Sequence, residues 1–185
     1  ATSVDRNDNT AIGFEALKVN TGIGNTAVGK SAADSNTSGT GITAIGNRAL
    51  CSNTTGANNT AVGMCAMRTS TTGGSNTVVG HCALFDNTTG GSNTALGTSS
   101  LENNTTASSN TAVGYNSLAT NTTGCQNTAV GDQALKNNTT GCFNGAVSFE
   151  ALERNTTGNY NYALGWNSLR TNTTGSLNIG IGGNS

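Results

Sequence analysis

Apolar side chains come in pairs along this chain, an aliphatic residue followed five positions later by a second, and the pair returns at a fixed interval. The first column is Ile12, Val28, Ile45, Val62, Val79, Leu96, Val113, Val130, Val147, Leu164 and Ile181. The second is Leu17, Ala33, Leu50, Met67, Leu84, Leu101, Leu118, Leu135, Leu152 and Leu169, each preceded by Ala or Ser. The first interval is 16 residues and every later one is 17. Around the first column lies a five-residue block that reads NTAIG from Asn9, NTAVG from Asn25, ITAIG from Ile42 and so on to NIGIG from Asn178. A short unit repeated at one spacing stacks on itself. Its β-branched residues favour strand. The pattern predicts an all-β fold, a parallel β-solenoid of about eleven 17-residue coils over residues 9–185, with residues 1–8 as a cap or incomplete coil.

Alternation along a strand sorts the faces. Thr and Val of NTAVG share one side; Asn, Ala and Gly share the other. Both aliphatic columns are expected to form the core, with Thr at its margin. That leaves Ala27, Ala61 and Ala129 beside Gly29, Gly63 and Gly131 as an outer wall of small residues, where glycine leaves room for a neighbouring backbone. A second block, NTTG, recurs at Asn53, Asn87, Asn121, Asn138, Asn155 and Asn172. Asn and Gly tolerate left-handed backbone and Asn and Thr bond to nearby main chain, so NTTG is expected to be the tight corner of each coil. Its stacked Asn side chains are expected to hydrogen-bond from coil to coil. So thin a coil buries little, and association with copies of itself would relieve the deficit.

Composition narrows the function. Only 9% of residues are charged and the net charge is −1, so no basic surface suits nucleic acid. No apolar run is long enough to insert in a membrane. His81 is the single histidine and no acidic cluster accompanies it, no nucleophile–base pair stands out, and the glycines do not form a phosphate loop. The chain therefore reads as a non-enzyme without a cofactor or metal.

The NTAIG and NTAVG blocks, each followed by a turn rich in Asn and Gly, resemble the head repeats of YadA-like trimeric adhesins. Similar repeats occur in phage and large-virus fibres. The resemblance spans all eleven coils and implies a left-handed parallel β-roll that trimerises side by side, on a cell or virion surface outside the cell. The coil here is longer than the usual head repeat and its NTTG corner more regular.

Several residues are candidates for more than scaffold. Cys65 and Cys82 occupy equivalent coil positions 17 residues apart, as do Cys125 and Cys142. Stacked positions about 4.8 Å apart suit a disulfide, so two inter-coil bridges are expected, leaving Cys51 free. The most variable column contains Phe14, Tyr115, Phe149 and Trp166, candidate contacts for a host glycan or protein. Asn53, Asn87, Asn121, Asn138, Asn155 and Asn172, with Thr55, Thr89, Thr123, Thr140, Thr157 and Thr174, would form a polar grid if both ranks faced outward. Such a grid is the basis of an ice-binding alternative to the adhesive or structural fibre. A third reading is a protomer of an extracellular filament, stacked through unpaired terminal edges.

Overall fold

The computed structural model describes residues 8–185, so the expected cap lies almost wholly outside the described residues. Eleven strands of three residues follow one another: β1 Thr10–Ile12, β2 Thr26–Val28, β3 Thr43–Ile45, β4 Thr60–Val62, β5 Thr77–Val79, β6 Thr94–Leu96, β7 Thr111–Val113, β8 Thr128–Val130, β9 Gly145–Val147, β10 Tyr162–Leu164 and β11 Ile179–Ile181. They form one parallel sheet in sequence order. Like sits on like, so Ile45 pairs with Val62 and Val62 with Val79. The expected all-β solenoid of 17-residue coils is therefore the fold. Coil positions are numbered below from the first residue of each NTAVG block, Asn110 being position 1 of coil seven.

The interior is built differently from the expectation. In each strand the middle residue faces inward: Ala27, Ala44, Ala61, Ala95, Ala112, Ala129 and Ala146 are fully buried, with Val78 in the same file. The aliphatic column at position 4 faces out, and Val79 is 42% exposed. The expected core column and the expected outer wall are thus exchanged. The reason is room. Inside a narrow coil the strand lies close to the opposite wall, and that wall supplies the bulk: Leu50, Met67, Leu84, Leu101, Leu118, Leu135 and Leu152 are fully buried at position 9. Alanine is what the space across from leucine accommodates at interior packing density. The Ala or Ser file at position 8 is buried from Ala32 to Ser168.

Closing a coil in so few residues demands left-handed backbone, at positions other than the corner expected. In coil seven these are Asn116 at φ 54° and Leu118 at φ 51°, with Gln126 at φ 56° before the next strand. The Asn and Gly of NTTG are not among the left-handed residues. For a leucine this conformation costs about 1–2 kcal/mol. Burying its side chain contributes about 1.5–3 kcal/mol, so burial wins at position 9. Gly114, at φ +132°, shows why position 5 is small: a Cβ there would come within 2.5 Å of the Gly131 carbonyl oxygen in the next coil. The close backbone approach expected at these glycines is real, but the neighbour is the adjacent coil of the same chain. Ser148 takes this position in coil nine and is held at φ 118°.

Hydrogen bonds tie coil to coil well beyond the strands. Leu118 N–H donates to the Ala134 carbonyl (3.0 Å) and Asn116 N–H to that of Thr98 (3.1 Å), so one coil bonds both neighbours. Position 13 adds a hydroxyl file, as where Thr122 Oγ1 donates to the Thr139 carbonyl at 3.1 Å. Among the described residues, no helix is long and apolar enough to cross a membrane.

Candidate interaction surface

Asparagine organises the rod from within. Asn121 Nδ2 donates to Asn104 Oδ1 in the preceding coil (3.0 Å) and to the Gly124 carbonyl (2.9 Å), while its Oδ1 accepts from Asn138 Nδ2 (2.8 Å). The expected coil-to-coil ladder exists, but it is internal: Asn53, Asn87, Asn121, Asn138 and Asn155 are fully buried, and Asn172 is half-buried. The outward polar grid is corrected accordingly. Its Thr rank is exposed (Thr55, Thr89, Thr123, Thr140, Thr157 and Thr174), whereas the Asn rank points into the coil, where stacked amides satisfy one another.

Position 1 carries a second ladder that sequence reasoning placed on the outer wall. Asn127 N–H donates to Asn110 Oδ1 (2.9 Å), and Asn110 Nδ2 donates to the Gly124 carbonyl (2.9 Å). Its signal was in the sequence: position 1 is Asn in every coil except at Ile42, while exposed position 6 changes freely.

The position 12 ladder has one flaw. Ser70 replaces Asn in coil four; its Oγ accepts from Asn87 Nδ2 at 3.4 Å, and Asn53 Oδ1 is buried without a partner. Ser70→Asn is expected to supply the missing donor and stabilise the rod by about 1–3 kcal/mol, the cost of an unpaired buried acceptor. Chemical denaturation of the two chains side by side checks this; a variant no more stable than the parent would contradict it.

Outside, the rod has two unlike sides. From Asn9 onward every charged residue lies at position 6, 7, 10 or 11, and none lies between position 12 and position 5 of the next coil. On the charged side Arg170 Nε bridges Glu150 and Glu153 at 2.8 and 2.7 Å, and these carboxylates hold the guanidinium more firmly protonated. The charge-free stretch of each coil carries the outer strand face. Thr10, Thr26, Thr43, Thr60, Thr77, Thr94, Thr111 and Thr128 make one rank, in register with a parallel rank from Ile12 to Val130. Within a rank, neighbours are about 4.8 Å apart, and the two ranks are about 6.7 Å apart.

In the last three coils this face loses its threonines to Gly145, Tyr162 and Ile179. Val147, Tyr162, Leu164, Ile179 and Ile181 line a shallow groove of about 300 Å³. Beside it the Phe143 and Tyr160 rings stack, centroids 4.8 Å apart and 3° from parallel.

The other expected site residues divide. Phe14, Tyr115, Phe149 and Trp166 are all exposed at position 6, but only Phe149 and Trp166 lie on successive coils; Phe14 stands six coils from Tyr115. Cys125 and Cys142 come together, Sγ to Sγ 3.0 Å. Cys65 and Cys82 are neighbours in successive coils; Cys82 Sγ lies 3.5 Å from His81 Nε2, and its thiol pKa is raised, by burial first and then by Cys65. Cys51 Sγ contacts the Arg68 carbonyl (3.5 Å). Among the described residues, no group of three or more His, Cys, Asp or Glu is placed to hold a metal ion.

Compared with protein-family models, curated proteins and solved structures, the chain matches none. The surface itself carries the functional reading.

Proposed function

We propose that this chain is a non-catalytic module of a fibre at a cell or virion surface, assembled side by side with two further copies of itself through the outer strand face. What carries this reading is the charge-free aliphatic and threonine strip in register along the rod. At about 4.8 Å per coil and about 10 Å across it presents roughly 500 Å², near the upper end of what monomeric proteins leave uncovered. Three such strips meeting on one axis would cover each other and leave the charged sides in water. Adhesion to a host glycan or protein would then fall to the exposed pair Phe149 and Trp166 at the edge of that assembly.

The threonine rank supports a second reading on the same face, in which eight in-register threonines, each with a hydroxyl and a methyl group, order water against ice. Ice binding uses a bare face and a trimer covers it, so mass decides. Sedimentation equilibrium and native mass spectrometry are expected to give three times the chain mass. A chain that stays monomeric at all concentrations overturns the trimer, and thermal hysteresis from that monomer would favour ice.

A further inference from the structure

We infer that Cys125 and Cys142 form a disulfide that clamps coils seven and eight together at position 16. Sequence spacing made two cysteine pairs equivalent; the geometry separates them. Cys125 and Cys142 have their sulfurs 3.0 Å apart, each aimed at the other, and the Cys125 amide N–H donates to Cys142 Sγ at 3.0 Å. Their Cα atoms belong to stacked coils, a spacing of about 4.8 Å that falls inside the range a disulfide spans. Closing the bond asks only for a small side-chain rotation of half-buried residues. Cys65 and Cys82 sit instead at position 7 on left-handed backbone, φ 58° and 52°, with Cys82 Sγ beside His81.

The chemistry is thiol–disulfide exchange with a low-molecular-weight disulfide such as oxidised glutathione. The Cys142 thiolate, met by the Cys125 amide N–H, attacks one glutathione sulfur and releases the first glutathione thiolate. The Cys125 sulfur, deprotonated in turn, attacks Cys142 Sγ and expels the second. One S–S bond is made and one broken, two electrons pass from the cysteine sulfurs to glutathione, and the two thiol protons end on the two glutathione thiols. The Cys125 thiol pKa is raised, by its hydrogen bond with Cys142 first and by burial second, so exchange quickens toward alkaline pH. The bond is independent of the side-by-side assembly.

The test equilibrates the full chain in glutathione redox buffer, alkylates it, and digests it with trypsin and a glutamate-specific protease. Cleavage after Lys136 separates Cys125 from Cys142, and cleavage after Glu102 separates Cys82 from Cys125. The expected result is one linked peptide pair holding Cys125 and Cys142, lost on reduction. Cys125→Ser should leave Cys142 open to alkylation or carrying a single glutathione. A chain with Ser at Cys51, Cys65 and Cys82 should keep the link, with its fold checked by circular dichroism. Alkylation of both cysteines in oxidised native chain, or a Cys142 that in Cys125→Ser is still disulfide-linked to another cysteine of the chain, overturns the assignment.

Discussion

Lysine at position 112 is expected to unfold the rod around coil seven, while lysine at the adjacent position 113 leaves the coil standing. Ala112 is fully buried opposite the leucine file, so Ala112→Lys drives a long cationic chain into a space that holds one methyl group. No carboxylate lies inside to receive it: among the described residues the buried polar groups are Asn and Ser. An uncompensated buried charge costs about 3–5 kcal/mol, before any overpacking. Val113 points the other way, and Val113→Lys extends into solvent at a cost of about 0.5 kcal/mol. Its effect falls on assembly: a positive charge at the middle of the outer face should shift the proposed trimer to monomer. Thermal melts by circular dichroism read the first effect and sedimentation the second. The opposite ranking would return the valine file to the core.

The second large effect is expected from Asn121→Leu. Shape is nearly kept, yet three hydrogen bonds go, to Asn104, to Gly124 and from Asn138. The Gly124 carbonyl keeps Asn110 and Asn138 Nδ2 keeps Gly141, but Asn104 Oδ1 is left buried and bare. The combined loss is about 3 kcal/mol. In a stack whose stability is a sum over neighbours, the loss is local. Amide exchange is expected to quicken by roughly 100-fold in coils six to eight and to stay unchanged several coils away. Uniform quickening along the chain would mean that the ladder is not a chain of separable contacts.

The same residues explain what could be read from sequence. The period, the strand in each coil and the amide ladder followed from spacing alone, because 17-residue steps put Val62, Val79 and Val130 in one file whichever way that file faces. Facing was the part that failed. A constant apolar column predicts core, which holds for the leucines at position 9, but an uncharged outer face is equally constant at position 4, and Ala112 gives no hint that a leucine from across the coil fills its space. Left-handed Leu118 is invisible to propensity, since only its burial offsets the backbone cost. For Asn121 spacing predicts the coil-to-coil ladder but leaves open whether it faces in or out; stacking lets identical amides saturate one another inside. At the candidate surface, spacing could pair the cysteines but could not choose between two equivalent pairs. That choice depended on where each sulfur turns.

The inter-coil bonds run along the length of the rod, and this sets how it would bear a load. A pull on the two ends stretches those bonds in series, so the whole is only as strong as its poorest junction. One weak junction lies between coils three and four, where Asn53 finds no amide above it. Tension would load that junction, and a turn-by-turn unreeling would stop at the proposed Cys125–Cys142 bond. A filament made of such units would yield gradually instead of snapping.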